Sequence, residues 1–296
     1  VGGRNLGDEY YNASEPRNFA DLDLLTLGEV VAPLSMSFDL YWNHGLAQPV
    51  GRYHRADAEA WRALRDRLAA WLAEENDSDY FAALRRRHEE RERSRLVDAL
   101  HWGRAEALWD PPGKPARRGR PALDETMGGR LWSRLAPEAR LSLVSAYFVP
   151  TAEGSRALQA LAEGGVEVQV VTNSLEATDV PVVHGAYMPY RRDLLKSGVA
   201  LFELRAEHAN GEEAAIGVPG SSASALHIKA LAVDDDTVFV GSPNADPRSV
   251  WWNSEVGVLA ESESLAREFR ELVEVGASPA LSYAVTLDEE GRLGWE

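Results

Sequence analysis

The stretch from Leu226 to Asn244 holds two side chains whose types and spacing suit phosphate chemistry. His227 and Lys229 lie two positions apart in an otherwise apolar run, for which we expect a continuous strand over residues 226–234. Residues two apart in a strand point to the same face, so an imidazole and an ammonium share one surface. An imidazole can act as a nucleophile or a general acid, and an ammonium can neutralise phosphoryl oxygens. The pair therefore predicts a site for a phosphodiester.

Three consecutive aspartates at positions 234–236 are a strong turn signal between two apolar, β-branched runs. We therefore expect a β-hairpin that turns near residue 235. This hairpin lays Lys229 opposite Gly241 and brings Ser242 and Asn244 beside the predicted base and cation. The carboxamide of Asn244 would add a directional hydrogen-bond donor to the site.

The composition limits the classes of protein. The chain has 296 residues, of which 45% are hydrophobic, and this fits a globular protein with a sizeable core. The formal net charge of −16 argues against a nucleic-acid partner, because such binding relies on clustered Lys and Arg. The absence of Cys excludes disulfides, thiolate catalysis and Cys-ligated zinc. His184, His208 and His227 lack the spacing of metal ligands, so we expect no metal site.

The first residues of the chain match the end of the predicted hairpin. Residues 1–5 and 240–244 both read Val-Gly-x-x-Asn. Each stretch is followed by a carboxylate that opens an apolar strand, Asp21 in the first case and Glu255 in the second. This order indicates an internal repeat, and we expect a further His-x-Lys pair upstream of the first residue.

Between the repeats, residues 46–130 change character. Apolar residues recur there at helical spacing and then give way to a Pro-rich stretch, so we expect a helical insertion and a linker. Predicted strands and helices alternate afterwards, which is typical of a mixed α/β sheet covered by helices. The predicted strands cover 141–149, 166–171 and 199–204, the predicted helices cover 154–163 and 183–195, and a loop over 206–224 would form a lid or rim.

The extended pattern resembles the HKD signature of the phospholipase D superfamily. The His-x-Lys pair is followed by Asp234, by Gly-Ser-x-Asn at residues 241–244 and by Asn-Ser-Glu at residues 253–255. The chain is also similar to the bacterial cardiolipin synthase C type of this superfamily, at residues 2–10, 19–23, 37–42, 172–175 and 184–187. The resemblance implies a phospholipase D-like fold, with a mixed sheet flanked by helices and two pseudo-repeats, the first of them truncated. The implied domains are a remnant of the first repeat (1–45), the helical insertion and linker (46–130) and the second repeat (131–296).

The resemblance also implies roles for individual residues. His227 would be a catalytic imidazole, and Lys229 and Asn244 would bind the phosphate. Ser242 would support them, Glu255 would be the buried carboxylate that orients the imidazole, and Asp234 would complete the motif in a role more structural than chemical. The other implied positions are the first-repeat residues Asn5 and Asp21 and the weaker substrate-binding candidates Tyr147, His184, Tyr187 and Arg191. No metal and no organic cofactor is implied.

By this resemblance we expect a phosphatidyltransferase or hydrolase that works through a phosphohistidine intermediate, as in cardiolipin synthesis. The implied partners are phospholipids such as phosphatidylglycerol and phosphatidylethanolamine, and the implied location is bacterial, peripheral to the cytoplasmic membrane. Because the first motif's His and Lys are absent, we expect little or no turnover from the 296-residue chain alone. Two alternatives stay open: an HKD-type phosphodiesterase or nuclease, and a catalytically silent phospholipid-binding scaffold.

Overall fold

The computed structural model describes residues 1–11, 18–55, 57–76, 81–82, 85, 98–206 and 224–296 of the chain. The strands in these ranges are β1 (Asn18–Ala20), β2 (Arg104–Trp109), β3 (Arg140–Ser145), β4 (Glu167–Asn173), β5 (Ala200–Leu204), β6 (Ser224–Leu226), β7 (Lys229–Val233), β8 (Thr237–Gly241), β9 (Val256–Glu261), β10 (Ser282–Leu287) and β11 (Leu293–Trp295). The helices are α1 (Val31–Trp42), α2 (Ala58–Glu75), α3 (Met127–Arg134), α4 (Thr151–Glu163), α5 (Pro181–Tyr187), α6 (Arg191–Lys196), α7 (Pro247–Trp251) and α8 (Glu263–Gly276). The predicted loop over 206–224 lies almost entirely outside the described residues.

A nine-stranded mixed sheet runs through the larger part of the described chain. Its strand order is β11-β10-β5-β4-β3-β7-β8-β9-β2. The neighbours β3, β4 and β5 pair in parallel, and helices connect them in sequence, as βαβ units require. The other pairs in this sheet are antiparallel. The predicted mixed sheet flanked by helices is confirmed.

Each face of this sheet packs against its own apolar core. Along β7, Leu231 and Val233 belong to one core, whereas Ala230 and Ala232 belong to the other. Residues of α3, α4, α5 and α6 complete the first core, and residues of α8 complete the second. Both faces are therefore covered, as the parallel part of the sheet demands. No helix in the described ranges combines the length and the apolar character that a membrane crossing requires.

The described residues divide into two compact units, which comprise residues 1–42 with 103–296, and residues 43–102. The sequence predicts an insertion and linker over 46–130. In the structure β2 and α3 belong to the larger unit, because β2 pairs along its whole length with β9. The smaller unit thus ends near residue 102, and the division of the rest into two repeats stays a prediction.

The hairpin register is as predicted, but its first strand is interrupted at His227. β6 ends at Leu226 and pairs in parallel with β1, whereas β7 begins at Lys229 in the main sheet. The backbone N–H of His227 donates to the carbonyl of Ala20 (2.7 Å). The prediction of one continuous strand over 226–234 was wrong, because local periodicity does not reveal that a distant segment pairs with part of it.

Two other predicted elements also differ. The strand expected after Asp21 is reduced to a bridge between Gly2 and Asp23. The helix expected over 183–195 is divided into α5 and α6 by a short 3-10 turn that contains Pro189. Proline lacks the backbone N–H that a continuous helix would use, which accounts for the division.

The turn of the hairpin is fixed by Asp234. This residue adopts φ = 49°, a left-handed conformation that Asp tolerates better than most residues. Its carboxylate accepts the backbone N–H groups of Glu138 (3.1 Å), Ala139 (2.8 Å) and Arg140 (2.8 Å). Burial acts to raise the pKa of Asp234, but these N–H groups outweigh it and lower that pKa. Asp234 therefore ties the β7–β8 turn to the start of β3, at the opposite end of β7 from Lys229.

We predict that Asp234→Ala lowers the free energy of unfolding by about 1–3 kcal/mol, because three N–H donors lose a charged acceptor. Urea denaturation measures this change. The neighbouring Asp235→Ala removes an exposed ion pair with Arg270 and serves as the control, with an expected loss below about 1 kcal/mol. Equal losses for the two variants would contradict the structural role of Asp234.

Candidate active site

An open pocket of about 520 Å³ brings together residues from five separate parts of the chain. These parts are the first five residues, Pro115, the junction of β6 and β7, the segment after β8 and the segment before β9. The lining includes Asn5, His227, Lys229, Ser242, Asn244 and Glu255. Six of the residues singled out in the sequence therefore meet in one place.

A buried carboxylate fixes the imidazole of His227. Oδ2 of Asp21 lies 2.8 Å from Nδ1, and the Asp21 side chain is 0% exposed. Because a carboxylate only accepts, Nδ1 carries the proton in this contact. The hydroxyl of Tyr10, which accepts from Nδ2 of Asn5 (2.9 Å), lies 3.5 Å from Nε2. The arrangement leaves Nε2 as the ring atom that can react.

Two backbone supports hold His227 beside Asp21. β1 ends at Ala20, next to Asp21, and its parallel pairing with β6 sets Ala20 beside Leu226. The side chain of Asn173, at the end of β4, accepts from the N–H of Leu226 (2.8 Å) and donates to its carbonyl (2.9 Å). Asn173 thereby takes the place of a neighbouring strand beside β6, where the chain is about to enter the main sheet as β7, and it fixes the backbone just before His227.

Lys229 supplies a buried cation to the pocket. Its side chain donates to the carbonyl of His227 (2.7 Å), and Nζ lies 3.1 Å from each ring nitrogen. Burial is the largest influence and lowers the pKa of Lys229 to about 8, although the carboxylates of Asp21 and Glu255 act in the opposite direction. A Cβ at Gly3 would lie 3.0 Å from Cδ of Lys229, so a larger residue there would shift the lysine side chain by a few tenths of an ångström. The ammonium is still charged at neutral pH and is placed to bind an anion.

A second group in the pocket consists of Asn244, Ser242 and Glu255. Oδ1 of Asn244 accepts the N–H of Tyr147 (3.2 Å), which leaves the amide hydrogens of Asn244 for a ligand. Glu255 accepts a hydrogen bond from the hydroxyl of Ser242. Burial raises the pKa of Glu255, and the bond from Ser242 opposes that shift. The expectation that Glu255 orients the imidazole is corrected, because Asp21 takes that place.

A buried ion pair between Lys114 and Asp110 holds the segments that carry Glu255 and Asn244. Nζ of Lys114 lies 2.7 Å from Oδ2 of Asp110, and the two side chains are 2% and 0% exposed. Asp110 also accepts the N–H of Glu255 (3.1 Å), and Lys114 donates to the carbonyl of Ser249 (3.0 Å). The hydroxyl of Ser249 accepts in turn from the N–H of Asn244 (3.1 Å). One ion pair thus fixes the backbone around two pocket residues.

The structure does not bring the weaker candidates into the pocket lining; they are Tyr147, His184, Tyr187 and Arg191. Tyr147 donates its hydroxyl to the carboxylate of Asp179 (2.9 Å). The other three form a buried cluster, in which Nε of Arg191 lies 2.8 Å from Oε1 of Glu203 and Nη2 contacts Nε2 of His184. Burial lowers the pKa of His184 and raises that of Tyr187. No three His, Asp or Glu side chains of the described ranges are grouped as metal ligands would be.

Sequence reasoning missed four residues that hold the site together, which are Tyr10, Asn173, Asp110 and Lys114. Asp110 and Lys114 carry a signal, since a carboxylate and an ammonium four residues apart stand in a Pro-rich segment of restricted backbone. Asn173 carries a weaker one, because it follows a strand on the side where α/β sheets place their ligands. Tyr10 carries none that we recognise.

Comparison with known proteins gives a family match over the second half of the chain. Residues 136–275 match the family described as cardiolipin synthase, PLD-like domain. The chain is 34% identical over 300 residues to cardiolipin synthase C of Escherichia coli, a match that covers 100% of this chain and 62% of that protein. It is 29% identical over 289 residues to an uncharacterized protein of Helicobacter pylori, and this match covers 91% of the chain and 53% of that protein.

Among solved structures, the chain is similar to Nuc of Salmonella typhimurium, a phospholipase D family member. The TM-score is 0.42 at 19% sequence identity, and the match covers 62% of this chain and 99% of that chain. The chain spans between about half and two thirds of the length of the two curated relatives described above.

We predict that Lys114→Met lowers the free energy of unfolding by about 3–5 kcal/mol, because it leaves the Asp110 carboxylate buried without its cation. The midpoint of urea denaturation measures the effect. Arg117→Gln is the matched control, since it breaks a half-exposed ion pair with Glu125 and should cost less than about 1 kcal/mol. A loss for Lys114→Met no larger than that of the control would contradict the supporting role of the buried pair.

We also predict that affinity for a phosphodiester falls as the pH rises above about 8. Lys229 binds an anion in its protonated form. Each pH unit above its pKa lowers the protonated fraction about tenfold. Titration calorimetry with glycerophosphoglycerol, whose charge is constant in this range, measures the change. In Lys229→Arg the guanidinium stays charged, so the decline near pH 8 should disappear. A wild-type affinity that is constant up to about pH 10 would exclude Lys229 as the binding cation.

Proposed function

We propose that the protein transfers a phosphatidyl group between phospholipids, because residues 136–275 match the PLD-like domain of cardiolipin synthases. The observation that carries the proposal is the pocket in which Asp21 fixes His227 beside the buried ammonium of Lys229. A nucleophile or proton donor and a fixed cation, within one open pocket, are what transfer at a phosphodiester needs. The substrates would be phospholipids such as phosphatidylglycerol and phosphatidylethanolamine, so the reaction would take place at a membrane surface.

The transfer proceeds in two displacements through a phosphohistidine. In the first, a P–N bond to an imidazole forms, the P–O bond to the donor's head group breaks, and the leaving oxygen takes a proton. In the second, the hydroxyl oxygen of an acceptor phospholipid bonds to phosphorus, the P–N bond breaks, and the hydroxyl proton returns to the protein. Nε2 of His227 serves one of the two imidazole roles, either as the nucleophile or as the acid and then the base.

The other pocket residues stabilise charge on the phosphoryl group. Nζ of Lys229 and the amide hydrogens of Asn244 lie where they can bind phosphoryl oxygens, which carry most charge in the transition state. Asp21, from the first part of the chain, orients an imidazole of the second part. By the same logic Glu255, held by Ser242, would orient the second imidazole that the two-step transfer uses.

The experiment that tests the proposal measures transfer in the natural full-length protein with detergent-dispersed phosphatidylglycerol and phosphatidylethanolamine. His227→Gln should reduce product formation by at least about 10³-fold, because it removes the reacting nitrogen. Asp21→Asn should reduce the rate by about 10²-fold or more with little change in KM, because the imidazole loses its fixed tautomer. Asp23→Asn, two residues away and paired with Arg4, is the matched control and should keep the rate.

An acid quench with lipid labelled in the phosphatidyl group identifies the role of His227. Label that stays on His227→Gln assigns the nucleophile to another histidine and the acid to His227, whereas loss of label makes His227 the nucleophile. Full transfer activity in His227→Gln would refute the proposed function. Release of phosphatidic acid without any transfer would show that the protein only hydrolyses phospholipids.

A further inference from the structure

A cationic cluster lies at the edge of the pocket, formed by Arg120, Trp251 and Trp252; we call it the rim cluster. Cζ of Arg120 lies 4.5 Å from the ring centroid of Trp251 and 5.5 Å from that of Trp252. The two indole rings meet edge to face, with centroids 6.0 Å apart. Trp252 lines the pocket and is 45% exposed, so the guanidinium sits beside the opening rather than within it.

Among the residues that the structure describes, no carboxylate forms an ion pair with Arg120, although Glu153 lies close enough to interact with it electrostatically. Three other arginines near the pocket are engaged: Arg117 pairs with Glu125, Arg4 pairs with Asp23, and Arg248 donates to Oδ1 of Asn253. The guanidinium carbon of Arg120 lies within cation–π distance of both indole rings. A guanidinium also presents N–H donors in a fork geometry that suits a phosphate.

The proposed reaction creates a need for such a group. Two phosphodiesters meet in the transfer: one reacts beside His227, and the other belongs to the acceptor lipid and stays intact. A short glycerol bridge joins this second phosphate to the attacking hydroxyl, so it must lie just outside the reacting centre. With a formal net charge of −16, the protein would repel a second anion unless a local cation received it.

We infer that the rim cluster binds the intact phosphate of the acceptor phospholipid, an inference that rests on the proposed function. Arg120 would form a bidentate contact with that phosphate, and Trp252 would pack against the adjoining glycerol. The attacking hydroxyl would thereby be held over the phosphoryl group bound at Lys229. The rim cluster then favours a lipid acceptor over water in the second displacement.

Binding of dihexanoylphosphatidylglycerol, kept below its micellar concentration, to the full-length protein that carries His227→Gln tests the inference without significant turnover; each variant below is made in that background. Calorimetry gives the affinity, and the indole N–H signals of Trp251 and Trp252 report where the lipid binds. Arg120→Gln should weaken binding about tenfold or more, which is the loss expected for a charge-assisted contact. Arg120→Lys should fall between, because it keeps the charge but loses the planar fork.

Arg118→Gln is the matched control. It removes the same charge from a residue two positions away, and in the described structure the side chain of Arg118 makes no ring contact. It should change the affinity by less than about twofold. Equal weakening by the two Gln variants would reduce the effect to general electrostatics and overturn the inference, as would an unchanged affinity in Arg120→Gln. Inorganic phosphate is the second probe: an equal dependence on Arg120 for this ion would assign the cluster to free phosphate and reject the lipid.

Turnover separates this inference from the proposed function. Arg120→Gln should raise the KM for the acceptor phosphatidylglycerol and increase the share of hydrolysis, without slowing loss of the donor lipid. If His227→Gln abolishes transfer but Arg120→Gln changes neither acceptor KM nor lipid binding, only the rim inference fails. If His227→Gln leaves transfer intact, the proposed function fails whatever Arg120 does.

Discussion

Burial of the Lys229 ammonium is the interaction on which the rest of the site depends. A buried charge loses its hydration, and in proteins this costs several kcal/mol unless partners compensate. The carboxylates of Asp21 and Glu255 oppose the loss, yet the pKa of Lys229 still falls to about 8. In the unfolded chain the same group titrates near pH 10.4, so its contribution to stability improves as the pH rises from about 8 to 10.4 and is unfavourable below that window. The native fold thus carries a cost at neutral pH that an anionic ligand would offset.

Such a charge can be kept in place only if its surroundings do not relax around it. Parallel pairing of β1 with β6 holds Asp21, and the amide of Asn173 holds the backbone before His227. Asp110 and Lys114 hold the wall that carries Glu255. The buried cluster of His184, Arg191 and Glu203 also belongs to this scaffold, since Nδ1 of His184 lies 3.2 Å from the carbonyl of Asn173. His184 and Arg191, which the sequence predicted as substrate contacts, are therefore connected to the site through Asn173.

The sequence predicted those features that depend on short-range order. Alternation of apolar residues and three consecutive aspartates were enough for the β7–β8 hairpin, its register and the place of Ser242 and Asn244. The carboxylate beside His227 was assigned wrongly, because Glu255 is only 28 positions away in the chain whereas Asp21 is 206 positions away. Both residues follow the same Val-Gly-x-x-Asn pattern, so local sequence has no means to choose between them. Only the pairing of β1 with β6, two strands of three residues each, decides which carboxylate meets the imidazole.

The charges of this protein act over short distances, and that explains how an acidic chain can present a site for anions. Exposed charges are screened beyond about 8 Å at physiological ionic strength, so a local cation can attract an anion although the formal net charge is −16. Lys229 lies inside at low exposure, where screening is weak, and Arg120 lies at the edge on two indole rings. Local cations therefore decide where an anion binds. In the proposed reaction the buried ammonium would receive the reacting phosphate and the guanidinium the intact one, each phosphate from its own phospholipid.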